Sequence, residues 1–335
     1  ASIPELIRAY NLIQNLNNNH WKTIKTEDIK HIIAACAGLY LEATANTNHA
    51  TAGSNIEVTI EAINRSNSNI ILKSIVNPNG MAINKDISLA NNTDFDFKET
   101  LAINANQDVS TPYWLTKKGT LGMYKVDDAE LIGLPETPRT LNMIFNLNIE
   151  TIDISFTRPI VFKSNDPVKG EVYKPFEIVP EVSARISEKV IIMDNDTPRT
   201  IEVIVTAGSD NIEGYVELKH PEQWRVSPKT EQINITNKGQ EQRIIFTITP
   251  PKQQNEGYIM PVVHVGNQRY TKELIEIDYD HIPFQTVLLP SESKIVRLDI
   301  KRKGQHIAYI EGAGDVVPES LRQIGYTVVI LKPED

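Results

Sequence analysis

The stretch His220-Pro221-Glu222-Gln223 contains residue types found at hydrolytic metal sites. An imidazole and a carboxylate could bind a divalent ion there while a second carboxylate activates water. The position for that second acid is held by Gln223, and the stretch runs directly into Trp224, Arg225 and Val226. A turn feeding a core tryptophan explains the same residues. His20, His31, His49, His264, His281 and His306 are scattered without ligand spacing and read as surface or hydrogen-bonded side chains. Gly312-Ala313-Gly314-Asp315 could present main-chain amides to an anion, but the third glycine of a dinucleotide fingerprint falls on Val317. The alternative is a structural turn, with Asp315 as a helix cap, Pro318 in the first turn and Gly325 just past the end. Asp194-Asn195-Asp196 offers oxygen ligands for calcium but lacks the glycine and distal glutamate of a hand-type loop, so it reads as a hairpin turn. Cys36 sits on an apolar helical pattern with no paired histidine in sequence, which predicts a buried small hydrophobe rather than a nucleophile.

Aromatic residues supply the other candidate chemistry. Tyr113 and Trp114, together with Tyr124, could form a platform for a sugar ring, whose apolar face suits stacking, and Trp224 is a further candidate stacking residue. Tyr113, Trp114 and Trp224 are therefore the candidate glycan contacts. Core packing is the competing reading for each.

Composition narrows the classes of function. The chain has 335 residues, 40% hydrophobic and 23% charged, enough for two or three globular domains with real cores. A net charge of -9 disfavours nucleic acid and anionic lipid as partners. No apolar run approaches the roughly 20 residues of a membrane helix. A single cysteine excludes an internal disulfide framework.

These residues must be positioned by elements that the hydrophobic period reveals. Ile3, Leu6, Ile7, Tyr10 and Ile13 follow helical spacing, with Ser2 and Glu5 placed as a capping box. Thr26, Glu27 and Asp28 open a second predicted helix with Ile29, Ile32, Ile33, Cys36 and Leu39 on its apolar face. This hairpin must pack on an upstream domain or on the sandwich that follows. From residue 55 the period changes to two, and runs at 70–76, 95–103, 141–149 and 152–161 predict antiparallel strands of a β-sandwich. Seven short runs between 190 and 277 predict a second, immunoglobulin-like sandwich. At the end, 307–310, 318–324 and 327–331 predict one β-α-β unit, the start of a fold that needs more strands and helices around it. The chain is accordingly expected to be cut from a longer protein. The predicted fold is mainly β: two tandem sandwiches, an N-terminal helical hairpin and a C-terminal β-α-β fragment of an α/β domain. The expected spans are 1–44 for the hairpin, 45–165 and 166–279 for the sandwiches, and 280–335 for a linker and the start of the α/β domain.

Several stretches together carry a family resemblance: IAACAGLYLEA at 33–43, EAINRS at 61–66, PYWL at 112–115, DPVKGEVY at 166–173, YDHIP at 279–283 and GAGD at 312–315. They resemble the region after the catalytic domain in long PIG-L (LmbE-like) deacetylases of Bacteroidetes-type bacteria. The resemblance covers essentially the whole chain. It implies an upstream Rossmann-like zinc domain that deacetylates N-acetylglucosamine-type substrates, and a glutamine-amidotransferase-like domain downstream. Residues 180–278, with Pro221, Trp224, Val226, Pro228 and the pair Pro250-Pro251, are also similar to immunoglobulin-like accessory domains of bacterial carbohydrate-active enzymes. No position here matches the family's catalytic metal motif, so no catalytic residue is carried over. Zinc is expected only upstream, with no cofactor in this segment. The implied role is a non-catalytic accessory segment orienting flanking domains of the same polypeptide, in the periplasm or at the cell surface. The alternative is a carbohydrate-binding module that contacts glycan through its aromatic residues. A third reading is an enzyme whose site forms between domains.

Overall fold

The computed structural model describes residues 2–332. The chain is mainly β and divides into two compact units. One takes the residues up to 117 with 123–178 and 278–285, and the other takes 118–122, 179–277 and the residues from 286 onward.

The first unit opens with two helices, α1 (Ile3–Gln14) and α2 (Asn19–Cys36). Ile3, Ile7, Ile29 and Ile33 are buried in one core with the sandwich strands, so the hairpin packs on the sandwich that follows it. The expected capping box does not form. Ser2 has a helical backbone and makes no side-chain cap, while Glu5 turns to Arg8 at 3.0 Å; Pro4 in the first turn still favours the helical start. α2 begins well before Thr26, because Asn18 caps it by accepting from the Trp21 amide at 3.1 Å and no glycine or proline interrupts 19–25. Cys36 is exposed, which corrects the expectation of burial. The buried line of the helix runs through Ile29, Ile33 and Ala37 at intervals of four, and Cys36 lies about a quarter turn away from it. Gly38 then turns the chain at φ +55, and Leu39 starts a strand instead of extending the helical face.

Two sheets close the first sandwich. One has the order Gly170–Pro175, Val161–Asp166, Leu39–Ala45, Asn55–Asn64, Asp94–Ala102; the other has Ala82–Ser88, Ile70–Val76, Asn142–Ile149, Ile152–Pro159. Ile56, Val58, Ile60 and Ala62 point inward, as the period of two requires, against Leu72, Phe145, Leu147 and Phe156. The edge strands Ala82–Ser88 and Gly170–Pro175 and the central strand Leu39–Ala45 are additions to the sequence reading.

The second sandwich pairs the order Val182–Ile186, Arg199–Ala207, Glu241–Thr249, Arg225–Ser227 with the order Val190–Met193, Ser293–Arg297, Asn255–Val265, Ile212–Lys219, Thr230–Ile235. Its core holds Trp224, Phe246, Val203, Val216, Val263 and Ile295. The strand Lys272–Ile277 leaves this pattern and pairs with Gln285–Pro290 in a separate two-stranded sheet. Ser293–Arg297 replaces it, running parallel to Val190–Met193 and antiparallel to Asn255–Val265.

The predicted β-α-β unit is present in the second unit. His306–Ile310 and Thr327–Leu331 pair in parallel, with α3 (Val317–Gln323) between them.

Candidate functional site

A long connection, residues 103–141, joins Asp94–Ala102 to Asn142–Ile149 with only two short 3-10 turns, Tyr113–Leu115 and Ala129–Leu131. Connections of this length without regular structure are uncommon in compact domains and are usually binding loops or linkers. This one is pinned by its own polar groups. The Tyr113 amide donates to Thr137 Oγ1 at 2.9 Å, the Tyr113 hydroxyl donates to the Leu134 carbonyl at 3.2 Å, and Asp128 Oδ1 accepts from the Glu130 amide at 2.9 Å. Lys117 is ion-paired with Asp127. The Tyr113 and Trp114 rings meet edge to face, with centroids 4.8 Å apart and planes at 89°. Together with Tyr124, Val126, Ile132 and Leu134 they line a hollow of about 460 Å³.

Two of the three candidate glycan contacts, Tyr113 and Trp114, thus share one site, with Tyr124 beside them as expected. Trp224 is not part of it. It is 1% exposed in the core of the second sandwich, and its Nε1 donates to Asn255 Oδ1 at 2.7 Å. A ring buried on both faces has none to offer a sugar, so Trp224 is withdrawn as a contact. The preceding residues form the turn that feeds it, with the Trp224 amide donating to the Pro221 carbonyl at 3.0 Å.

The other motifs also resolve as local structure. Asn195 Oδ1 accepts from the Thr197 amide at 2.8 Å, an Asx turn. Asp315 Oδ1 accepts from the Val317 amide at 2.9 Å, and Asp315 also takes the Tyr309 hydroxyl proton in a hydrogen bond. The carboxylate thereby occupies an amide that an anion would need. Gly325 follows α3 with φ +89.

A further cluster went unread in the sequence. On one face of the five-stranded sheet, Lys163 Nζ donates to Glu42 Oε2 at 2.6 Å, and the Tyr40 and Tyr173 hydroxyls lie 3.4 Å apart. Burial works to raise the Glu42 pKa, but the Lys163 ammonium and both phenols outweigh it, and the net shift is downward. Tyr40 is pushed far above the ordinary phenol value, first by burial and then by hydrogen bonds to Glu42 and Tyr173. These side chains tie the parallel pair Leu39–Ala45 and Val161–Asp166, whose register is Thr44 with Val161 and Ala45 with Phe162. Its sequence signal was the alternation Tyr40, Glu42, Thr44, hidden because the preceding residues are helical.

The cluster has a consequence at alkaline pH. A phenol whose folded pKa is raised contributes stability that is complete below its unfolded value, near pH 10, and is lost as the pH rises beyond it. Tyr270 is raised in the same direction, by burial first and then by Glu181, to which it donates at 2.8 Å. Ultraviolet phenolate titration should therefore show fewer ionised tyrosines in the native chain than in the urea-unfolded chain above about pH 10, with stability falling over that range. Coincident titration curves would contradict it.

No protein-family model and no curated protein matches the chain. Among solved structures it is similar to native alpha-2-macroglobulin of E. coli, 12% identical over 78% of this chain and 16% of that chain, with TM-score 0.25. It is also similar to Salmonella alpha-2-macroglobulin reacted with methylamine, 10% identical over 77% of this chain and 16% of that chain, with TM-score 0.25. A third is a protein of unknown function from Porphyromonas gingivalis W83, 8% identical over 77% of this chain and 99% of that chain, with TM-score 0.19. The chain spans 16% of the length of these two macroglobulins.

Proposed function

We propose that the chain is a non-catalytic accessory segment that spaces and orients flanking domains, and that it corresponds to the region after the catalytic domain of a PIG-L-like N-acetylglucosamine deacetylase. On this reading zinc chemistry belongs to an upstream domain, an amidotransferase-like domain continues the β-α-β unit, and the polypeptide works in the periplasm or at the cell surface. The supporting observation is how the β-α-β unit is held. Gln323, the last residue of α3, accepts from the Ile192 amide at 2.8 Å and donates to Glu188 Oε2 at 2.8 Å and to the Val190 carbonyl at 3.3 Å. Val190–Met193 is an edge strand of the second sandwich, and one side chain both satisfies that edge and fixes α3 against it. A sandwich that grips the first helix of an α/β unit can set that unit's orientation, which is what an orienting segment must do.

Gln323→Ala is expected to accelerate amide exchange about tenfold at 306–331 and at 190–193, from the loss of roughly 1–2 kcal/mol of hydrogen bonding. Unchanged exchange would remove the grip, and acetate release from N-acetylglucosamine substrates by this chain supplied with zinc would overturn the non-catalytic reading. A second reading, glycan contact through Tyr113 and Trp114, has the partial exposure of both rings for it and the mostly apolar lining around them against it.

A further inference from the structure

We infer that the hollow on the 103–141 connection is a binding site for an uncharged aryl group carried by a small molecule. This goes beyond the orienting role and does not depend on it. The volume of about 460 Å³ lies within the roughly 300–1,000 Å³ of small-molecule sites, which are mostly apolar with a few fixed polar groups. An enclosed dry cavity of about 150 Å³ admits benzene, and this larger hollow, although open to solvent at Tyr124 and Ile132, has room for a substituted ring.

The lining decides the chemistry. Tyr113 has committed its hydroxyl to Leu134 and its amide to Thr137, so it offers the site mainly its ring. Val126, Ile132, Leu134 and Pro135 are aliphatic. The remaining polar groups are the Trp114 indole N–H and the Tyr124 hydroxyl. A pyranose would bring several hydroxyls into these walls, and each one desolvated without a partner costs about 1–3 kcal/mol. An aryl group makes no such demand. The edge-to-face arrangement of Tyr113 and Trp114 uses only one of their four ring faces on each other, and aromatic contacts gain roughly 0.5–1.5 kcal/mol beyond buried area. Charge favours an uncharged ligand: the connection carries four basic residues, Lys117, Lys118, Lys125 and Arg139, against five acidic ones, Asp108, Asp127, Asp128, Glu130 and Glu136, so its charges nearly cancel, and Lys117 is paired with Asp127 and Arg139 with Glu136 and Glu177.

The test uses the intact chain with benzyl alcohol as the aryl probe and methyl glucoside as the sugar probe, read by ligand-observed saturation-transfer NMR and tryptophan fluorescence. Tyr124 and Ile132 are 66% and 64% exposed, so Tyr124→Ala and Ile132→Arg should leave the urea midpoint unchanged. Benzyl alcohol should bind at millimolar concentration, each variant should weaken it about tenfold, and methyl glucoside should give no transfer. Equal binding of methyl glucoside would overturn the assignment in favour of a sugar site. Absence of benzyl alcohol binding, or binding indifferent to both variants, would overturn it altogether. None of these outcomes bears on the Gln323 exchange experiment, so the two readings fail separately.

Discussion

Trp224→Ala lowers the stability of the second sandwich by about 3–5 kcal/mol, the range for truncating a large buried aromatic residue. The indole is 1% exposed and packs in a core with Phe246, Val216 and Ile295. Its removal leaves a cavity that the rigid β-framework can only partly close, and it strands Asn255 Oδ1, which now accepts from Nε1 at 2.7 Å. Trp224→Phe retains most of the volume but not the donor, so a smaller loss of about 1–2 kcal/mol is expected. Urea denaturation followed by circular dichroism resolves the effect. Because Trp224 belongs to one of two separate core clusters, the transition of the first sandwich should stay in place. If Trp224 were instead a glycan contact, the alanine variant would keep its denaturation midpoint and lose sugar binding.

The second large effect comes from a glycine. Gly214 lies inside the strand Ile212–Lys219, and a Cβ there would stand 2.0 Å from the His264 carbonyl oxygen of the neighbouring strand. The obstacle is backbone, which cannot rotate away as a side chain can. Gly214→Ala must therefore push apart the ladder that pairs Tyr215 with His264 and Val216 with Val263. It also disturbs the stack of Tyr215 on His264, whose centroids are 4.5 Å apart. A loss of about 2–3 kcal/mol is expected, at the upper end for overpacking. Gly312→Ala is the control. Its new Cβ would meet only the Asp315 carboxylate at 3.8 Å, an ordinary contact, so the denaturation midpoint should hardly move. Equal midpoints for the two variants would show that the close approach carries no energetic weight.

Much of this architecture could be read from residue order, because alternation and turn chemistry are local properties. The strand Ile70–Val76 has the predicted bounds, Asp94–Ala102 is displaced by one residue, and Asn142–Ile149 starts one residue late and ends where expected. Gly312 to Gly325 likewise encode their own turn and helix end, although the cap position falls on Val316, without a side-chain cap, and not on Asp315 as expected. Where the reading fell short, the obscuring feature was tertiary. Ser293–Arg297 places Ser293 and Arg297 at buried positions, so the strand does not look apolar until its neighbours are known. Leu39–Ala45 follows a helix with only Gly38 between them, and its Leu39 continued the helical spacing by coincidence.

For the candidate site the division is sharper. The adjacency of Tyr113 and Trp114 is evident in sequence, but an exposed ring and a buried one have the same letter. Trp114 and Trp224 were equal candidates until burial separated them, since whether an indole meets solvent depends on how strands far apart in the chain close over it. Residue order alone determined a mainly β chain with a helical hairpin before it and one β-α-β unit after it, because hydrophobic periods of 2 and 3.6 are written into neighbouring residues. Only the tertiary structure decided which strands pair, that Gln323 meets the edge at Ile192, and that Ile132 and Leu134 join the aromatic residues around one hollow. Those contacts are made between residues whose sequence separation carries no local signal.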